Sequence, residues 1–205
     1  MVLNLRIALA ISVLFLIGCT STVKKDVSKL NETNVCCTSA SDFKYTSLSP
    51  NKETTIKLTS KSLSFNFDSG KSYFKPFVLK NTQSKFTLII KSYFNNTFSI
   101  VGGDHTNSFL KPQVLVYDSQ FKLLCNLNSA AKYIEPTWTT DGHFLFNYSY
   151  SNERAKYLVI TANTENLTYS NARLKESGNY GISYHTTKID HSPKGKLKVI
   201  LSNGS

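Results

Sequence analysis

The sequence predicts an all-β protein, namely a single antiparallel β-sandwich domain of jelly-roll type with at most one short helix. Many short segments alternate apolar and polar residues with a period of two, which is typical of half-buried strands. Clusters of Gly, Asp, Asn and Ser separate these segments and indicate tight turns. No long segment has helical periodicity, and a chain of 205 residues has the usual length of one domain.

The predicted strands share this alternation and are rich in aromatic and β-branched residues. The clearest example contains Phe144, Phe146, Tyr148 and Tyr150, which would lie on one face of a strand. The only candidate helix is a short piece within residues 163–177, where the apolar spacing is only partly helical. The predicted strands are 63–67, 86–90, 113–117, 121–125, 144–150, 157–161 and 196–201.

The N-terminus has the features of a bacterial lipoprotein signal peptide. Arg6 precedes an apolar run over residues 7–17, which is too short to span a bilayer but suits a signal peptide. The run ends in Leu-Ile-Gly-Cys, which resembles the lipobox, so we expect cleavage after residue 18 and lipid attachment at Cys19. Thr20 follows instead of Asp, which predicts a periplasmic protein anchored to the outer membrane.

Residues 19–35 are polar and contain no aromatic side chain. This composition predicts a flexible tether between the lipid and the folded domain. The domain organisation is therefore a signal peptide over residues 1–18, a lipidated tether over 19–35 and a β-sandwich domain over 36–205.

Three cysteines remain once Cys19 carries lipid, and an exported protein folds in an oxidising compartment. Adjacent cysteines can bond only through a strained ring, which disfavours a bond between Cys36 and Cys37. We therefore predict a disulfide between Cys37 and Cys125, with Cys36 to Cys125 as the alternative pairing. Three free thiols are the remaining possibility.

The positive charge does not indicate nucleic-acid binding. The net charge is +11, but only three of the 24 basic residues are Arg, the residue preferred for reading bases and phosphates. Lys194, Lys196 and Lys198 would share one face of the last strand, with Leu197 and Val199 opposite. This pattern predicts a solvated face or attraction to an anionic membrane surface.

The sequence predicts no enzyme, no catalytic residues, no cofactor and no metal site. Gly70-Lys71-Ser72 resembles the end of a phosphate-binding loop, but the earlier glycine of that motif is missing. The chain also has no Gly-x-Ser-x-Gly nucleophile motif.

The segment over residues 133–143 most resembles a binding site. It contains Trp138, the only Trp of the chain, in a loop with Pro and Gly. Sugar recognition uses an aromatic face against the C–H surface of the ring and polar groups on the hydroxyls. Trp138, Asp141, His143 and Tyr133 are therefore candidate sugar-contact residues, although an aromatic side chain packed on the edge of the sandwich is the simpler interpretation.

Five stretches follow one another along the chain at residues 69–74, 86–93, 109–115 with Asp118, 157–161 and 191–199. Together they resemble the maltose operon periplasmic protein family (MalM). The resemblance implies a role in carbohydrate transport, with maltodextrin or an envelope protein of maltose uptake as partner, and it supplies no catalytic residues. The alternative is an interaction module that docks on an envelope protein or porin without contacting sugar. The lipobox and the adjacent cysteines depart from the family pattern.

Overall fold

Two β-sheets that face each other across an apolar core form the body of the protein. The computed structural model describes residues 22–79, 85–97, 106–164, 167–178 and 181–203. Within these residues the chain forms one α-helix and fourteen strands. The predicted all-β sandwich is therefore confirmed.

The helix precedes all the strands and is α1 (Thr22–Glu32). The strands are β1 (Thr46–Leu48), β2 (Thr54–Leu58), β3 (Ser64–Phe67), β4 (Gly70–Leu79), β5 (Lys85–Thr97), β6 (Thr106–Phe109), β7 (Pro112–Tyr117), β8 (Leu123–Leu127), β9 (Lys132–Ile134), β10 (His143–Ser151), β11 (Tyr157–Ala162), β12 (Tyr169–Gly178), β13 (Gly181–His191) and β14 (Gly195–Asn203).

The first sheet has the order β1-β4-β11-β7-β8, and β3 pairs with the start of β4. In the second sheet β5 is central: it pairs with β10 on one side, and with β14 and then β6 on the other. The edges of this sheet are formed by β2 next to β14, by β9 next to β10, and by the β12–β13 hairpin next to β6.

Both sheets are mixed, whereas the sequence predicted purely antiparallel pairing. β1 runs parallel to β4, and β13 runs parallel to β6. In each case the chain visits other strands between the two partners. The path of the chain therefore determines whether two strands pair in parallel. The local alternation of apolar and polar residues carries no information on this path.

The main core fills the space between the sheets. Tyr73 and Phe77 from the first sheet and Phe144, Phe146 and Tyr148 from the second are almost completely buried in it. A smaller cluster covers the opposite face of the first sheet, where Phe43 and neighbouring side chains pack on the outer residues of β4, β7 and β11. All six residues of β7 are buried because both faces of this strand are covered.

The predicted flexible tether is wrong over residues 22–32, which form α1. Leu30 is buried in the main core, and the carboxylate of Asp26 pairs with the Lys194 ammonium at 2.7 Å. The Lys71 ammonium donates a hydrogen bond to the Asn31 carbonyl at 2.8 Å. Docking on the sandwich thus stabilises a helix too short and too polar to be stable alone. No helix of the described residues is long and apolar enough to cross a membrane.

The candidate helix within residues 163–177 is also wrong where the structure describes it. Residues 169–178 form β12, which pairs residue by residue with β13 in an antiparallel hairpin. Pairing with a neighbouring strand overrides a weak local preference for helix. The predicted signal peptide and Cys19 lie outside the described residues.

The predicted bond between Cys37 and Cys125, and the alternative from Cys36 to Cys125, are corrected by the structure. Cys36 is bonded to Cys37, and Cys125 is free. Cys37 packs against the outer cluster of the first sheet, whereas Cys125 on β8 packs against the core on the opposite face. The sheet therefore separates the two cysteines that sequence reasoning had paired.

A Leu30→Ala substitution tests the docking of α1. We expect the free energy of unfolding to fall by about 2–4 kcal/mol, because a buried leucine leaves a cavity. Chemical denaturation measures this loss. Lys29→Ala, at an exposed position of the same helix, is the matched control and should change stability little. Equal stabilities of the two variants would contradict the docked helix.

Candidate binding surface

The loop over residues 135–142, here called the Trp138 loop, connects β9 to β10 and contains a tight turn at residues 137–140. The Thr137 amide donates a hydrogen bond to the Thr140 carbonyl at 2.9 Å. The Thr137 hydroxyl accepts hydrogen bonds from the amides of Thr139 and Thr140 at 3.3 and 3.2 Å. These contacts close the turn around Trp138 and fix the backbone that carries its side chain.

Trp138 is fully exposed, at 105% of its reference surface area. Within the described residues no other large apolar side chain exceeds 48%. Indole combines a large apolar face with one N–H donor, a combination that favours contact with ligands that are part apolar and part polar. The loop therefore presents an open aromatic platform.

The other three candidate sugar-contact residues occupy different environments. Asp141 is exposed on the same loop. His143 is 7% exposed, its Nδ1 lies 2.9 Å from the Asp141 carbonyl, and its ring centre lies 5.5 Å from that of Tyr93. His143 thus supports the base of the loop, and only Asp141 accompanies Trp138 at the surface.

Tyr133 is not a surface contact residue. It lies opposite Phe144 in the β9–β10 pair, which turns its side chain toward the core. Its ring centre lies 5.5 Å from that of Phe144 and 5.9 Å from that of Phe94. Burial, and after it the nearby Glu135 carboxylate, raise the pKa of Tyr133. The sequence-based prediction assigned Tyr133 to the loop because the residues of the short strand β9 do not alternate clearly between apolar and polar.

A basic face adjoins the Trp138 loop on the outer side of the second sheet. Lys196 and Lys198 lie 5.1 and 6.0 Å from the Tyr93 ring centre. Glu53 pairs with Lys198 at 2.7 Å and with Lys91 at 3.3 Å. The hydrogen bond to Glu53 is the main cause that raises the pKa of Lys198, and the charge of Asp141 adds to it. Asp141 therefore lies close enough to act on this face.

The predicted alternation of the last strand is confirmed in β14. Leu197 and Val199 are buried, and Lys196 and Lys198 lie on the outer face. Lys194 differs, because it lies in the turn before β14 and pairs with Asp26 of α1.

The structure also brings together a Ser–His pair that the sequence did not reveal. Ser170 Oγ lies 3.0 Å from His191 Nε2, and Thr168 Oγ1 lies 3.3 Å from Nδ1. Burial, and after it the charge of Lys111, lower the pKa of His191 to about 4. Hydroxyl groups form hydrogen bonds with both ring nitrogens of His191, whereas in a catalytic triad a carboxylate orients the histidine. The pair therefore satisfies a buried histidine, and only the β12–β13 hairpin brings its members together.

Comparison with protein-family models, with curated proteins and with solved structures finds no match to this chain. Among the described residues, no group of three or more His, Cys, Asp or Glu side chains is placed to hold a metal ion.

The lowered pKa of His191 predicts that the folded protein loses stability in acid. The folded state keeps the ring neutral down to a pH of about 4, whereas the unfolded chain takes up a proton near 6.5. Stability is therefore complete above pH 6.5 and decreases as the pH falls toward 4. Between pH 7.5 and 4.5 we expect a loss of about 2 kcal/mol from this group.

Denaturation curves of wild type, His191→Gln and His143→Gln at both pH values measure this loss. His191→Gln should reduce the acid-induced decrease, and His143→Gln, which keeps His191, should retain it. The same decrease in all three proteins would exclude His191 as its source.

Proposed function

We propose that the protein is a non-enzymatic carbohydrate-binding accessory of the bacterial envelope, anchored to the outer membrane by lipid at Cys19. In this proposal it binds maltodextrin on the Trp138 loop and assists the uptake of this sugar. The observation that carries the proposal is the complete exposure of Trp138 on a hydrogen-bonded turn.

The chemistry of the Trp138 loop suits a neutral sugar. The indole face can pack against the C–H surface of a glucose ring, which buries apolar area on both partners. The Asp141 carboxylate can accept hydrogen bonds from sugar hydroxyls, while the hydroxyls of Thr139 and Thr140 offer donors and acceptors nearby. The turn is already formed, so binding does not have to order the loop.

The start of α1 at Thr22 bears on how the proposed anchor holds the domain. Only two residues separate Cys19 from the helix, and an extended chain spans about 3.5 Å per residue. A docked α1 would thus begin within about 10 Å of the lipid attachment, and the sandwich would lie closer to the lipid than the flexible tether of the sequence-based prediction would place it.

The choice of maltodextrin rests on the resemblance of the ordered segments to the maltose operon periplasmic protein family. The alternative remains a module that docks on an envelope protein or porin without contacting sugar. An exposed tryptophan also suits that role, because tryptophan is enriched at the energetic centres of protein interfaces. Sugar titration separates the two proposals.

Trp138→Ala should weaken maltohexaose binding by about 2 kcal/mol, roughly 30-fold in Kd, if the indole is the main contact. The free energy of unfolding should not change, because the side chain is fully exposed. Since Trp138 is the only Trp, its fluorescence reports binding in the wild type, and calorimetry compares the variants.

Tyr169→Ala removes a second exposed aromatic residue and should leave the sugar affinity unchanged. If millimolar maltohexaose changes neither the fluorescence nor the melting temperature, direct sugar binding is excluded. Capture of one stoichiometric envelope protein by cross-linking in cells would then favour the docking module.

Cys19→Ser should abolish both palmitate labelling and association with the outer membrane. Cells labelled with radioactive palmitate and then fractionated measure both properties. Cys125→Ser removes the free cysteine of the folded domain and should retain label and location. Labelled protein in the outer membrane after Cys19→Ser would contradict the proposed anchor.

A further inference from the structure

A groove of about 710 Å³ lies where one side of the sandwich is open, and no residue of the Trp138 loop lines it. One wall is β2, the edge strand of the second sheet, and the other is formed by β1 and β4 of the first. Four lysines line it: Lys44, Lys57, Lys61 and Lys75. We call it the lysine groove.

The positive charge of the lysine groove is not compensated by the protein. None of the residues that line it is acidic. Within the described residues, the four ammonium groups make no ion pair and no hydrogen bond, whereas Lys91, Lys194 and Lys198 elsewhere are all paired. Four unpaired cations around one cavity create a positive potential that attracts an anion.

Lys75 is the least expected member of the group. By strand alternation it lies on the same face of β4 as Tyr73 and Phe77, both of which are buried in the main core. Lysines on edge strands commonly prevent unwanted strand pairing, which accounts for Lys57 on β2. Lys75 differs because it lies within the first sheet, where it pairs with Ile160 of β11. On its other side, the pairing with β3 ends at Tyr73 and the pairing with β1 begins at Phe77.

The other residues that line the lysine groove indicate which class of anion it suits. Hydroxyl groups of Ser47, Thr54 and Thr55 also line the groove and can donate hydrogen bonds to further oxygens. Those of Thr46 and Ser62 already donate to the Pro76 and Lys57 carbonyls. Apolar side chains, among them Ile56 and the exposed Leu63, form the rest of the surface. Ammonium and hydroxyl donors suit a phosphate group, and the apolar surface suits the glycerol and first methylenes of a lipid.

We propose that the lysine groove binds the phosphate-bearing headgroup of an anionic membrane lipid. The choice of a lipid rests on the proposed function, in which the anchor at Cys19 and the docked α1 keep the sandwich close to a membrane. The groove adds a second, electrostatic attachment that orients the domain on the bilayer, since an acyl anchor and a basic site reinforce each other.

Calorimetric titration of the mature lipidated chain tests this proposal. The protein is held in an uncharged polyoxyethylene detergent, which also avoids a sugar headgroup. Monomeric dihexanoylphosphatidylglycerol should bind, while dihexanoylphosphatidylcholine and inorganic phosphate should bind at least tenfold more weakly. Binding should weaken as salt is added, because the site is open to solvent.

Lys61→Gln combined with Lys75→Gln should reduce the affinity for dihexanoylphosphatidylglycerol at least tenfold. Lys122→Gln combined with Lys132→Gln removes the same charge at exposed positions outside the groove and should leave it unchanged. If the first pair prevents folding, Lys44→Gln with Lys61→Gln, both exposed, replaces it.

Equal affinities of the two double variants would place lipid binding elsewhere and overturn the proposal. Equally tight binding of inorganic phosphate would overturn the lipid assignment, and absence of any binding would overturn the site itself. Palmitate labelling and the fluorescence response of Trp138 to maltohexaose, measured on the same preparations, show separately whether the proposed function holds.

Discussion

Packing of large aromatic side chains between the two sheets is the interaction on which the rest of the structure depends. Each ring removes about 150–250 Å² of surface from water, which is worth several kcal/mol at about 25 cal/mol per Å². Tyr148 also crosses the interface, because its hydroxyl donates a hydrogen bond to the Pro112 carbonyl of β7 at 2.8 Å. Burial raises the pKa of Tyr148, so the hydroxyl remains a donor. The core therefore fixes how the sheets lie against each other.

The core also supports the surfaces where binding is proposed. Tyr133 packs against the core with its hydroxyl beneath the Trp138 loop, so close that a Cβ atom at Gly142 would lie 3.0 Å from it. The loop thus stands on a rigid base while Trp138 faces solvent. At the open side of the sandwich the same packing holds β2 opposite β4, which leaves a groove between them. Both candidate surfaces therefore lie at edges of the hydrophobic core and are not separate structural units.

The segment before the sandwich has a structural role of its own. α1 contributes Leu30 to the core and Asp26 to an ion pair. The chain then continues along β3, where the Cys36 amide donates to the Ser64 carbonyl at 2.9 Å and Cys36 bonds Cys37. The entry of the chain into the domain is therefore held at several points.

The sequence by itself determined the sheet architecture, most of the strands and the outward face of β14, because alternation of side chains along a strand depends only on neighbouring residues. It also singled out Trp138 as a candidate contact residue in a loop, and the structure showed that its side chain is exposed. Only the tertiary structure decided the parallel strand pairs, the helix at 22–32 and the strand at 169–178. It also decided the cysteine pairing, the inward orientation of Tyr133, the Ser170–His191 pair and the lysine groove. Each of these features depends on contacts between residues far apart in the chain. The path of the backbone and the packing of side chains determine which residues meet, and no local sequence pattern encodes these contacts.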